Sequence, residues 1–295
     1  MTFDFQTQIE KASVLLEALP YFQQFRGKTF LIKVGGSSMD DRELVKGMLR
    51  DVVFLEIAGI NPVLVHGGGK AISAAMETAG LEASFASGFR ITTDSAMEIV
   101  ETTLSSQINP GLVADIEHFG GQALGIPGNT TFIGERITGW SQDEEKDISL
   151  GRVGKVVDFE LSEIEKAIDQ SMVPVVSPIA AEKGTGLSLN VNADLAASAL
   201  AAKLQAAKLV FLSDVLGVME DPAKPASLIP TIRTDEVEKM ISDKIIGGGM
   251  IPKVRSSVEA LEAGVGKVHM IDGRVPHSLL LEIFTEQGIG TEIVK

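Results

Sequence analysis

Short apolar runs that end in a glycine turn or a helix start recur along this chain, and they restrict its fold more than any other feature. Residues 29–34, 62–65, 173–176, 208–212 and 267–271 are apolar at almost every position. Runs of that length without polar alternation read as strands buried on both faces, the pattern of a parallel sheet. Helical patterns lie between them, at about 40–58, 69–79, 95–107, 110–119, 193–204, 251–263 and 276–285. Gly80 stands where a helix C-cap glycine is expected, and Pro110 suits a first turn. Strands alternating with helices of this length predict βαβ units and an α/β protein built on a parallel sheet. Ligands of such sheets collect at the carboxyl ends of the strands, where the glycine turns fall.

The first run, Leu31-Ile-Lys-Val-Gly-Gly36, carries a lysine. A charged lysine in a buried strand is costly unless an anion meets it. The glycines after it let backbone N–H groups close on a phosphate. A second glycine turn, His66-Gly-Gly-Gly69, follows the next run, and a third, Gly247-Gly-Gly249, precedes Lys253. Three glycine turns and two lysines in apolar settings point to a polyphosphate site. Neither GxxxxGK[ST] nor GxGxxG occurs, so P-loop and dinucleotide-binding folds are not supported.

Composition removes other classes. A chain of 295 residues can hold one large or two medium domains. Its net charge of −14 argues against nonspecific nucleic-acid binding and against an anionic membrane surface. The absence of cysteine rules out disulfides and thiolate catalysis, and the four histidines form no HxxxH pair, so no metal ligands are expected. No apolar run approaches the ~20 residues of a membrane span, and the acidic N-terminus is unlike a signal peptide, which predicts a cytoplasmic protein.

Three stretches break the alternation. Residues 125–158 are turn-rich and polar and read as a β-hairpin excursion; residues 217–230, with three prolines, read as a surface hairpin or loop. In residues 1–27, Phe3, Phe5, Ile9, Ala12, Leu15, Leu16 and Leu19 recur at helical spacing until Pro20 interrupts. This helix packs on its own domain or is exchanged between subunits. The expected division is residues 1–27, 28–180 and 181–295.

Six segments occur in order: Lys33-Val-Gly-Gly36, His66-Gly-Gly-Gly69, Gly88-Phe-Arg-Ile-Thr92, Asn190-Val-Asn-Ala-Asp194, Ser213-Asp-Val-Leu-Gly217 and Gly248-Gly-Met-Ile-Pro-Lys253. From about residue 28 to its end the chain resembles the amino acid kinase family, and within it the N-acetylglutamate kinases. The resemblance implies a three-layer αβα sandwich around a mainly parallel central sheet, with residues 1–27 serving oligomerisation, an N-lobe at 28–180 binding the amino-acid substrate and dimerising, and a C-lobe at 181–295 binding ATP. It implies phosphorylation of the side-chain carboxylate of N-acetyl-L-glutamate by ATP with Mg²⁺, a step of arginine biosynthesis, the Mg²⁺ being held largely by the nucleotide. Lys33 and Lys253 would stabilise the transferring phosphoryl, and Asp194 would hold both lysines. Gly35, Gly36 and Gly67 would bind nucleotide phosphates, and Ser213 and Asp214 would form the nucleotide loop. Gly68, Gly69, Arg90 and Asn190 would hold the amino-acid substrate, Arg90 offering the bidentate fork that carboxylates prefer.

The N-terminal helix and the C-terminus resemble the arginine-inhibited branch of that family, in which the helix interlaces dimers into a hexamer. His269, Glu282 and Gly288 fall on the positions that contact the inhibitor arginine. The chain departs from the family at Lys70, where proline is usual. Residues 125–136 also lack the usual lysine and aspartate. Two other readings compete: a kinase of the same family acting on an aminoadipate derivative, and a non-catalytic arginine or nucleotide sensor.

Overall fold

Alternation along the strand Thr29–Val34 decides the architecture. Phe30, Ile32 and Val34 face one side of the sheet and Leu31 and Lys33 the other, and all five are buried. In a computed structural model, which describes residues 5–141, 146–221, 223–285 and 288–295, each side meets its own layer of helices. Phe30, Ile32, Leu64, Val210 and Leu212 pack against Leu49 and Val52 of the helix Arg42–Ile57, Leu112 and Ile116 of Asn109–His118, and Leu279 of Ser278–Ile283. Leu31, Val65, Leu209, Phe211 and Met270 pack against Ala197 and Leu200 of Ala193–Lys203 and Val254 and Leu261 of Met250–Glu262. The chain is therefore a three-layer αβα sandwich.

The central sheet has eight strands. In spatial order they are Thr231–Arg233, Thr291–Val294, Lys267–Asp272, Lys208–Ser213, Thr29–Val34, Asn61–His66, Val173–Val176 and Ala123–Ile126. Neighbours pair parallel except Lys267–Asp272 with Thr291–Val294. Thr29–Val34 lies between strands that follow it and strands much later in the chain. Its carboxyl end therefore opens into the crevice of a topological switch point.

The polar stretch at 125–158 differs from the expected simple hairpin. Ala123–Ile126 is a sheet strand, and Gly125 belongs to it because the Asn109 Oδ1 atom would lie 2.4 Å from a Cβ there. The hairpin follows, as Phe132–Ser141 paired antiparallel with Lys146–Phe159; its tip, 142–145, lies outside the described residues. With Ile179–Glu182 and Ser188–Val191 it curls into a small closed barrel.

The two helices expected at 95–107 and 110–119 form one continuous rod: Asp94–Glu101, a π-helical turn at Thr102–Ile108, and Asn109–His118. The sequence carries a reason for the π-turn. Ala96, Val100, Leu104, Ile108, Leu112 and Ile116 recur every four residues. On an ideal α-helix a four-residue repeat drifts by roughly 40° at each step and would wind off one face. A turn with i→i+5 bonds holds more residues and turns the stripe back. Five of the six side chains are consequently buried.

At the N-terminus, Phe5–Glu17 and Leu19–Phe25 are separate helices, with Pro20 in the first turn of the second. Phe3 lies outside the described residues. The second helix is anchored: the Phe25 ring packs on Phe30 at 5.1 Å and Phe22 on Phe284 at 5.2 Å. The first helix leaves Phe5, Ile9, Leu15 and Leu16 more than half exposed. Among their described residues, 217–230 form a loop with a bridge from Met219 to Leu228. No helix among the described residues is long and apolar enough to cross a membrane.

Candidate active site

Lys33 stands one residue before the end of the central strand and points to the face covered by Ala193–Lys203 and Met250–Glu262. Asp194 is in the first turn of one of these helices, where the Asn192 side chain caps the backbone N–H groups of Asp194 and Leu195, and Lys253 is in the first turn of the other. The three side chains meet. Lys33 Nζ lies 2.8 Å from Asp194 Oδ1 and Lys253 Nζ 3.7 Å from Asp194 Oδ2, and all three are largely shielded from solvent. Burial pushes the Asp194 carboxyl up, but the two ammonium groups outweigh it and hold the group below its ordinary range. Burial pushes the Lys253 ammonium down, with Asp194 acting in the opposite direction. The Phe211 ring, 5.5 Å from the Lys253 ammonium, closes the apolar side.

The glycine turns form the floor. A Cβ on Gly35 would lie 2.1 Å from Lys33 Nζ, so the lysine can fold back only over a glycine. Gly36 has φ +74° and faces the Asp214 carboxylate. Gly67 donates its N–H to Val34 O at 2.7 Å and approaches Gly35, which brings the two turns together. Gly68 lies against Leu104 and Ile108 of the π-turn, which would sit 2.6 and 2.7 Å from a Cβ.

These groups border a cavity of about 240 Å³ whose lining includes Lys33, Gly36, Gly67, Gly68, Gly69, Arg90, Asn190 and Asp194. Arg90 is buried and its pKa is lowered by burial. Its Nη2 donates to Gly69 O and to Ser73 Oγ, each at 2.8 Å, and its guanidinium lies 4.7 Å from the centroid of the Phe85 ring. Among the described residues none of its bonds goes to a carboxylate, so a fixed, buried cation faces the cavity. Asn190 enters from the barrel strand Ser188–Val191. The arrangement can hold an anion beside a phosphate and neutralise charge between them. No group of three or more His, Asp or Glu side chains among the described residues could hold a metal ion.

The model of the amino acid kinase family matches residues 28–272. The chain belongs to that family. It is 55% identical to the acetylglutamate kinase of Akkermansia muciniphila over 288 residues, 97% of this chain and 96% of the relative. It is 43% identical to the acetylglutamate kinase of Methanocaldococcus jannaschii over the full length of both. Within the amino acid kinase family it therefore stands among the acetylglutamate kinases. Its fold recurs among solved structures. N-acetylglutamate synthase from Neisseria gonorrhoeae, complexed with coenzyme A and N-acetyl-glutamate, superposes with a TM-score of 0.82 at 24% identity over 96% of this chain. This chain spans 63% of that one. Carbamate kinase from Giardia lamblia bound to AMP-PNP superposes with a TM-score of 0.64 at 17% identity, covering 91% of this chain and 99% of that one.

The remaining family-derived positions fall in two places. Ser213 ends the strand Lys208–Ser213; its buried hydroxyl has no hydrogen-bond partner among the described residues. Asp214 and Gly36 line a groove beside the cavity, together with Lys70, which pairs with Asp40. His269, Glu282 and Gly288 lie elsewhere, around a cavity of about 590 Å³ that Tyr21, Gln24 and Phe25 of the second N-terminal helix also line. There His269 Nδ1–H donates to Glu282 Oε1 at 2.6 Å, Glu282 Oε2 accepts from the N–H groups of Ile289 and Gly290, and Gly288 at φ +59° closes on the same oxygen. Lys208, which donates to His269 Nε2 at 2.9 Å, completes the cluster, its pKa lowered to about 8 by burial and by Lys267. Sequence reasoning passes over Lys208, which opens an apolar strand, whereas Lys33 stands inside one and is followed by a glycine turn. It also passes over Ser73 and Phe85, which fix Arg90.

His66 is structural. It is fully buried, donates from Nδ1 to Gly67 O at 3.0 Å and accepts at Nε2 from the Asn109 amide at 3.3 Å. That pattern requires the neutral ring, and burial lowers its pKa to about 4. Between pH 6.5 and 4 the unfolded chain takes up a proton here that the folded chain refuses. Stability therefore falls as pH drops through that window, by about 3 kcal/mol from this group. Urea unfolding at pH 7 and pH 4 is expected to show that loss in the parent protein and a loss smaller by that amount in His66→Gln. Equal losses in the two proteins would place the pH dependence elsewhere.

Proposed function

We propose that this protein transfers the γ-phosphoryl group of MgATP to the side-chain carboxylate of N-acetyl-L-glutamate, giving N-acetyl-L-glutamyl 5-phosphate and ADP in arginine biosynthesis. The observation that carries the reading is one carboxylate, Asp194, holding two shielded ammonium groups at the wall of a cavity that Arg90 and Asn190 also line. It is supported by full-length likeness to the acetylglutamate kinases. A carboxylate oxygen attacks the γ-phosphorus while the bond to the β–γ bridging oxygen breaks, and the electron pair leaves with ADP. The acceptor is already ionised, so no base has to remove a proton. Catalysis then rests on positioning and on countering the charge of a loose transition state.

In this reading Lys33 and Lys253 sit on either side of the transferring phosphoryl, and Asp194 holds both in place. Gly35, Gly36 and Gly67 supply N–H groups to the phosphates, and Ser213 and Asp214 border the nucleotide. Arg90 takes the α-carboxylate, with Gly68, Gly69 and Asn190 around the acetamide; the helix Gly69–Thr78 turns its positive end to the same anion. Substrate binding is assigned mainly to the N-lobe, with Asn190 reaching in from the C-lobe, and ATP binding mainly to the C-lobe, with the glycine turns at Gly35, Gly36 and Gly67 meeting the phosphates from the N-lobe. Mg²⁺ enters on the nucleotide, in keeping with its reluctance to shed water for a protein cage.

A coupled ADP-release assay tests the reading. N-acetylglutamate should be turned over and an aminoadipate derivative much more slowly; the reverse preference favours the competing kinase, and no turnover of either favours a sensor. Lys33→Ala should lower kcat by about 10²–10³, on the order of 3 kcal/mol of barrier. Unchanged turnover would remove Lys33 from the mechanism.

We further propose that arginine inhibits the enzyme through the second cavity, with Glu282 receiving the guanidinium, and that the first helix interlaces subunits in a cytoplasmic hexamer. The exposed apolar side of Phe5–Glu17 and the placement of His269, Glu282, Gly288 and the second helix around one cavity support this. Deleting residues 1–25 is expected to dissolve the hexamer and weaken inhibition. Sedimentation of the truncated protein as a hexamer would defeat the proposal.

A further inference from the structure

Arg90 and Asn190 come from distant parts of the chain, yet one side chain joins them. Thr92 is fully buried. Its hydroxyl donates to Arg90 O at 2.9 Å and receives a bond from Asn190 Nδ2 at 3.1 Å. A threonine hydroxyl has a single proton. With that proton committed to a carbonyl, the oxygen can only accept from Asn190, so the amide must turn its nitrogen toward Thr92. A flipped amide would set two acceptor oxygens against each other.

Thr92 itself is held by backbone. Its N–H donates to Leu150 O at 2.9 Å, and its carbonyl accepts from Arg152 N at 2.7 Å. Gly151, at φ +72°, forms the bridge, and a Cβ there would lie 2.2 Å from Thr92 O. Asn190 is fixed by pairing with Val153 and Ile179 in the barrel. Two rigid elements therefore meet at one hydroxyl.

We infer that Thr92 is a positioning residue for the acceptor site. It sets the orientation of the Asn190 amide and locks that amide to the segment carrying Arg90. One N–H of Asn190 is spent on Thr92, which leaves one donor and one acceptor for the cavity. That pair complements an acetamide, which presents a C=O and an N–H. The inference rests on the reading above in which Asn190 and Arg90 hold the acceptor.

The test compares Thr92→Val, which keeps the shape and loses the hydroxyl, with Thr92→Ser, which keeps the hydroxyl. Thr92→Val should raise KM for N-acetylglutamate about tenfold, the worth of one buried hydrogen-bonded orientation, with kcat and KM for ATP changed less than about threefold. Thr92→Ser should remain near the parent values. Because Thr92 acts through Asn190, the Thr92→Val, Asn190→Ala double variant should be no worse than Asn190→Ala alone. An unchanged KM in Thr92→Val, a Ser variant as poor as Val, or additive losses in the double variant would overturn the inference. If Asn190→Ala leaves KM unchanged, the acceptor-site reading fails instead. Crystal structures of the two Thr92 variants then decide the positioning role: a rotated Asn190 side chain in Val and a native one in Ser keep it, and an unmoved side chain in Val ends it.

Discussion

A single carboxylate between two ammonium groups holds this structure's business end together. The two shielded ammonium groups would repel each other without Asp194, and burial would press that of Lys253 further down. Asp194 is well placed by its own helix, since an acid in a first turn faces the positive end of the dipole. Lys253 is in the opposite position, a cation in a first turn, and its presence there is offset by Asp194 and by any phosphate it meets. Two positive charges and one negative leave the cluster with an excess of about one positive charge, to which Arg90 adds. A chain with a net charge of −14 thus keeps a cationic recess, and the low-dielectric walls around it focus the field on an anion.

Strand alternation separates two kinds of chemistry on one sheet. On Lys208–Ser213, Leu209, Phe211 and Ser213 belong to the side that carries Lys33, Asp194 and Lys253. Lys208 belongs to the other side, with Val210 and Leu212. The Lys208–His269–Glu282 cluster therefore lies across the sheet from the lysine pair and at the opposite end of the strand. The two sites share a backbone and no side chain.

Much of this was legible. The central strands, the lysine before the glycine turn and the helices that follow are short-range patterns, and they appear where the periodicity puts them. What the sequence hid were features that depend on partners far along the chain. Gly125 reads as a turn residue until Asn109 is seen to occupy the space of its side chain. The barrel is invisible because its strands are separated by a helix and a sheet strand, and its pairing is tertiary. Ser73 and Thr92 are ordinary residues by type; their importance lies in which atoms they reach.

The π-turn has a consequence for how this chain can change. It sets the phase between the front of its helix, which packs with Ile72 and Met76 beside the cavity, and the rear, which packs with Leu49 and Val52 in the main core. Substitutions along the helix alter one contact at a time. Removing one residue from either α-helical part would rotate the two ends against each other by roughly 100° and carry one apolar stripe out of its core, whereas the wide turn has a residue to spare. In this helix residue count is as much a part of the message as residue type.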